Sequence, residues 1–166
     1  MNIVLTIIRR KTFTLCDKLF RPEYIIQRRV KRMMRWKRRS RLMAHFVSWG
    51  IARRFGCYIA PSAVIGEGVK FPHAVGIVVG EGAVIGDGCV IFQHVTLGRV
   101  SSADASYPVL GSGSTVYAGA TVLGATSLPP RSVVGAGAIV IGFRGEREGT
   151  VLVGAPAAPI TRVSAD

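Results

Sequence analysis

The chain has 166 residues, 20 of them glycine and only 8% aromatic, with a formal net charge of +13. That is length for one core, and three cysteines with no CxxC pair exclude a disulfide-stapled scaffold and point to a reduced, cytoplasmic protein. The charge is uneven: residues 1–55 hold 16 Lys and Arg against Asp17 and Glu23, leaving 6 basic and 7 acidic groups in the rest.

The chain divides accordingly into a basic arm, residues 1–55, and a second domain, residues 56–166. Met1 to Ile8 is apolar but too short to cross a bilayer. Arg9, Arg10 and Lys11 follow that run, the reverse of a secretory signal. From Pro22 to Phe55 the apolar residues Tyr24, Ile25, Val30, Met33, Met34, Leu42, Phe46, Val47 and Trp49 recur at helical spacing. Between them runs the basic stretch Arg28 to Arg41. Two readings of this arm stay open: a helical cap that closes the following domain, or an amphipathic surface for an anionic membrane, which would place the protein at the inner face of the plasma membrane. Nucleic acid is set aside as a partner because no recognition motif accompanies the charge.

From Ile59 to Val140 an aliphatic or aromatic residue returns every sixth position. The runs are Ile59, Ile65, Phe71, Ile77; Val79, Ile85, Ile91, Leu97; and Leu110, Val116, Val122, Leu128, Val134, Val140. A small residue usually follows, as in Ile85-Gly86 and Leu110-Gly111. A period of six suits neither an α-helix nor a lone strand, but it suits short strands joined by tight corners and wound into a triangular prism. Stacked at ~4.8 Å, four to five coils give a parallel β-helix roughly 20–24 Å long. A sandwich would instead alternate, with turns every 8–12 residues or so. Cys89, beside Ile91, reads as packing.

The beat fails twice. Ile77 to Val79 is a shift of two, just after Phe71-Pro72-His73-Ala74-Val75-Gly76, and a polar loop at about 99–109 leaves the prism. Irregular segments on a rigid scaffold are where binding is expected.

Four segments, His73-Ala74-Val75-Gly76-Ile77-Val78-Val79-Gly80-Glu81, Ile91-Phe92-Gln93-His94-Val95-Thr96-Leu97-Gly98, Gly135-Ala136-Gly137-Ala138 and Val153-Gly154-Ala155-Pro156-Ala157, resemble the hexapeptide-repeat acyltransferases, in their serine acetyltransferase-like branch. The resemblance implies an all-β fold, a left-handed parallel β-helix, with acetyl-coenzyme A as acyl donor, no metal, and a homotrimer whose grooves bind the coenzyme. It makes His73 the general base, which is chemically sound because a neutral imidazole can take the proton of a hydroxyl as it attacks a thioester. It places Ala118 and Ala136 against the pantetheine arm, with Arg99 where the family has glycine. Arg131, Arg144 and Arg162 are phosphate candidates on charge alone.

The acceptor is read from departures. Where the serine enzymes carry an aspartate fifteen residues before the histidine, an aspartate just before it, and an arginine and a second histidine in the loop, this chain has Tyr58, Pro72, Ser106 and Tyr107. With Gln93 and His94, Tyr58, Ser106 and Tyr107 form a neutral acceptor site. The pattern therefore resembles more closely the colanic acid type of acetyltransferase, and the expectation is acetyl transfer to a saccharide hydroxyl in exopolysaccharide, O-antigen or capsule biosynthesis. The alternatives are a serine O-acetyltransferase of cysteine biosynthesis and a non-catalytic trimeric scaffold. A zinc enzyme on the same prism, like the γ-class carbonic anhydrases, holds its metal with three histidines, two of them five residues apart, and His73 and His94 offer no such pair.

Overall fold

A computed structural model describes residues 21–160. Two helices lead, α1 (Pro22–Lys37) and α2 (Arg41–Phe55), then thirteen strands, most of two or three residues, wound into a prism, and a final strand that turns back. Proline at the start of α1 loses no hydrogen bond. Ser40 caps α2, and Gly56 ends it in the left-handed conformation.

The prism has three parallel faces. Face 1 stacks β1 (Tyr58–Ile59), β3 (Val78–Val79), β6 (Thr96–Gly98), β9 (Thr121–Leu123) and β12 (Ile139–Ile141). Face 2 stacks β2 (Val64–Ile65), β4 (Val84–Ile85), β7 (Val109–Leu110) and β10 (Ser127–Leu128). Face 3 stacks β5 (Val90–Ile91), β8 (Thr115–Val116), β11 (Val133–Val134) and β13 (Val151–Gly154). The winding is left-handed, the rare sense for parallel crossovers. Every residue of the six-residue beat is buried except Ile65, which is half-buried. Neighbouring strand residues point outward, as the two-residue pleat demands.

Where glycine follows the apolar position, as at Gly86 and Gly111, it has a steric reason. A Cβ at Gly111 would lie 2.5 Å from the backbone of Pro129 and Pro130 in the next coil, and one at Gly86 would lie 2.7 Å from Ser112 N. A side chain does not fit at these two turns, where the chain lies against its neighbour.

Register locates both departures. The usual partner lies 18 positions on, as Val78 with Thr96 and Thr115 with Val133. Tyr58 pairs with Val78 and Lys70 with Val90, 20 positions on, so two extra residues enter between Lys70 and Val78. Thr96 pairs with Thr121 and Val84 with Val109, 25 positions on, so the loop after β6 adds seven.

The described part of the arm, residues 21–55, forms a cap. Ile26, Val30 and Met33 of α1 and Ala44, Ile51 and Phe55 of α2 are buried and continuous with the prism core. Ser48 donates to Ile59 O at 2.7 Å, and Lys37 Nζ donates to Ser62 O and Ala63 O at 2.8 and 3.0 Å. The apolar face of the basic run is thus used inside the protein. No helix among the described residues is long and apolar enough to cross a membrane. The readings of Met1–Ile8 and Arg162 fall outside the described residues, as does Cys16, the first of the three cysteines. Cys57 and Cys89 are free and buried, and burial pushes both thiols up.

One element is absent from the six-residue pattern. The closing Val153-to-Ala157 motif is a hairpin turn, with Gly154 at φ 96°, that returns β14 (Ala157–Ile160) antiparallel to β13. The Gly-Ala-Pro sequence was the available signal.

Candidate active site

The fold sorts the candidate residues by corner. At the corner leading from face 3 to face 1, His94 N donates to Val75 O, Gly119 N to Gln93 O and Gly137 N to Ala118 O, at 2.9, 3.0 and 2.9 Å. Val75, Gln93, Ala118 and Ala136 therefore stack as one column, with Gly76, His94, Gly119 and Gly137 as the column beside it. The two extra residues enter at the top of this corner, and His73 sits in the bulge they make, exposed, with φ of 50°. Five of the predicted site residues, His73, Gln93, His94, Ala118 and Ala136, come together at this corner.

The column beside Gln93 holds the more telling substitution. Gly56, Gly76, Gly119 and Gly137 have φ of 60–70°, and His94 takes the same left-handed conformation at 56°. A non-glycine residue there is strained on the order of 1 kcal/mol, and strain of this kind gathers at functional sites. The His94 ring lies directly on Gly76: a Cβ at Gly76 would overlap Nδ1. Gly76 thus serves twice, supplying positive φ and leaving room for the imidazole that braces the His73 bulge. Among the described residues neither histidine side chain has a hydrogen-bond partner, so both rings are available to a ligand.

Gln93 adds a polar group in search of a donor. Its Oε1 is buried and, among the described residues, is the one such side-chain atom without a hydrogen bond. A buried acceptor left unsatisfied costs about 1–3 kcal/mol unless a ligand pairs with it. Below it, Ala118 and Ala136 are small and at least partly open, flanked by Gly119 and Gly137. A thin polar chain with amide N–H groups, such as a pantetheine arm, fits that strip.

The projecting loop leaves from a different corner, between faces 1 and 2. Tyr107 is half-buried there, its ring laid across the turn that follows β3. A Cβ at Gly80 would meet the ring at 2.5 Å, and one at Gly82 would fall within it. Tyr107 is therefore the loop's anchor. Val100 folds back on Gly124 in the next coil. Asp104 braces the tip: its Oδ1 accepts from Ser106 N at 2.8 Å, and the Ser106 N–H and hydroxyl together hold the carboxyl below its usual range. Arg99 is exposed at the base of the same loop.

The remaining candidates lie apart. Tyr58 stands exposed on β1, paired with Val78 and without a hydrogen bond from its side chain. Arg131, at the third corner, pairs with Glu148 at 2.7 Å, and Arg144 bridges to Ser127 on face 2. Within one prism a full face separates the histidine corner from the loop corner.

No model of a protein family matches the chain. A rice protein described as "Probable serine acetyltransferase 1" (Oryza sativa subsp. japonica) is 39% identical over 107 residues, 64% of this chain and 35% of that protein. A serine acetyltransferase from Brucella abortus, solved in complex with coenzyme A, superposes with a TM-score of 0.80 at 26% identity, covering 88% of this chain and 58% of the other. Soybean serine acetyltransferase, solved complexed with serine, gives 0.78 at 35% identity, covering 87% and 60%. The chain thus spans about a third of the rice relative's length and about three-fifths of the solved chains.

These likenesses overturn the saccharide expectation, because the similar proteins are serine acetyltransferases, one of them solved with serine. The expectation inferred the acceptor from four altered positions, Tyr58, Pro72, Ser106 and Tyr107, and took the acceptor site to be neutral. In the structure Tyr107 is committed to anchoring the loop, and Asp104 and Arg99 place opposite charges on that same loop. With Ser106 and Tyr107 in place of charged residues, the loop still carries one group of each sign.

Proposed function

We propose that this chain is an acetyl-coenzyme A-dependent O-acetyltransferase whose acceptor is serine, the reaction that feeds cysteine biosynthesis, and that it works as a homotrimer. The carrying observation is the bulged His73 at the head of the Gln93–Ala118–Ala136 column. His73 takes the hydroxyl proton as the serine oxygen attacks the thioester carbonyl carbon; a C–O bond forms, the C–S bond breaks, and the proton passes to the departing thiolate. Gln93 Oε1 accepts from an amide N–H of the donor, and the Ala118–Ala136 strip lets the thiol arm lie against the backbone.

Asp104 and Arg99 supply the opposite charges that an amino-acid zwitterion needs, replacing those missing at Tyr58, Pro72, Ser106 and Tyr107. They sit one corner away from His73, so they meet it only across the contact with a neighbouring prism. A closed three-fold ring makes that contact three times. His94 bears on the acceptor through its brace of the His73 bulge. The fit of acetyl-coenzyme A to this corner rests on the small column and on the unpartnered Gln93 oxygen.

The test is an incubation with acetyl-coenzyme A and L-serine, followed by thiol release and by mass spectrometry for O-acetylserine, with light scattering for assembly. Thiol release that depends on serine, and a mass three times that of the chain, are expected. A monomer, or no thiol release with serine, would sink the proposal; silence with every acceptor would leave a scaffold.

A further inference from the structure

Helix α2 carries two stripes. The inner one, Ala44, Ser48, Ile51 and Phe55, is buried against the prism. The outer one, Leu42, Phe46, Trp49 and Arg53, repeats the same spacing two residues earlier, and two residues turn the helix by about 200°. It therefore faces away from the core. Leu42, Phe46 and Trp49 are 79, 63 and 54% exposed, an unusual row of large apolar side chains for an outward face. The row is ordered: the Phe46 and Trp49 rings lie 5.7 Å apart, and the Arg53 guanidinium sits 4.8 Å over Trp49.

A second observation says what the row meets. The turn before α2 and the end of α1 form a crevice lined by Arg32, Arg35, Trp36, Arg38 and Arg39. None of its four guanidiniums has a carboxylate partner among the described residues. The sequence from Tyr24 to Gly66 contains no acidic residue at all, the run being bounded by Glu23 and Glu67. A second copy of α2 would bring like charges against like, which disfavours self-docking. An anionic bilayer matches both features, with aromatic rings at the headgroup level and guanidiniums on phosphates.

We propose that the outer stripe of α2, with the arginines at the α1–α2 turn, docks the protein on an anionic phospholipid surface. The membrane face lies on α2, since the apolar side of α1 is buried in the cap. The proposal is independent of the reaction at the histidine corner.

The full chain is tested by co-sedimentation with vesicles of phosphatidylcholine alone and with phosphatidylserine added, at low and high salt. Expected is binding to the anionic vesicles only, lost at high salt. It should weaken by about tenfold or more in the triple variant Leu42→Ser, Phe46→Ser, Trp49→Ser, in the single Phe46→Glu, and in Arg38→Gln with Arg39→Gln. The variants should keep the parent's melting temperature and oligomeric state, because the altered side chains face outward. Equal binding by parent and stripe variants would overturn the proposal. So would a stripe variant that loses an assembly stage while keeping its vesicle binding, which would mark a second copy as the occupant, or a parent that prefers an oligonucleotide to vesicles.

Discussion

The two irregular corners of the prism differ in how they depart from the repeat. The histidine corner gains two residues and keeps its stacked columns, so the backbone itself positions His73, Gln93 and His94. The loop corner gains seven and leaves the prism, held by the Tyr107 ring, the Asp104 turn and the contact of Val100 with Gly124. A small insertion in a stacked scaffold gives rigid placement suited to chemistry, whereas a large one gives reach suited to recognition. Substitutions at the first corner should therefore act on kcat and those at the second on KM for the acceptor.

The largest expected effect is at His73. His73→Ala should lower kcat by roughly 10²–10⁴-fold, with little change in coenzyme affinity, in steady-state kinetics and calorimetry. Activity within a few-fold of the parent would show that the first corner does not hold the base. Next is Gly82→Ala, whose Cβ would occupy the place of the Tyr107 ring. Unseating the loop should raise KM for serine by about tenfold and leave kcat nearly unchanged. A fall in kcat with KM constant would erase the distinction between the corners.

His94→Gly probes the first corner from the side of stability. Glycine relieves the left-handed strain at this position but adds freedom to the unfolded chain, and the two effects offset to within about 1 kcal/mol. The melting temperature should move by no more than about 4 °C while kcat falls about tenfold. His94→Ala should lose the same activity and retain the strain. A glycine variant with full activity would make His94 an accident of the corner.

Most of the prism was legible in the sequence because one inward residue per side sets the coil, and Ile59 to Val140 keep that beat. The two breaks were legible as slips of the same beat. What lay beyond it was the use of side chains off the repeat. Tyr107 read as an acceptor contact because it stands where the serine enzymes carry a loop histidine, yet Gly80 and Gly82, already visible as paired small residues, leave the space its ring fills. The stacking of His94 on Gly76 needed three-dimensional register, since the two are neighbours only through the coil. On α2, a helical period could not say which of two apolar stripes faces inward. Ala44 and Ser48, small and easily overlooked, win the core because they let the helix approach β1, and the bulkier Leu42, Phe46 and Trp49 are left outside.

The smallest effect expected is the acid response of the loop. The Ser106 N–H and hydroxyl hold the Asp104 carboxyl below its ordinary range. A group whose folded value is depressed contributes its stability above the unfolded value and loses it as pH falls through the folded one. The loop should therefore stay seated through neutral and mildly acidic solution and loosen only in stronger acid, read as limited proteolysis between Arg99 and Tyr107 across a pH series. Asp104→Asn keeps an oxygen for the Ser106 N–H and removes the charge. It should loosen the loop slightly at neutral pH, abolish the acid response, and raise KM for serine without lowering kcat. If the carboxylate only braces the loop, the variant keeps its KM, and the amino-acid charge must be met elsewhere; if proteolysis shows the same acid response in the variant, another group controls the loop, and the contrast between a rigid corner and a carboxylate-braced one fails.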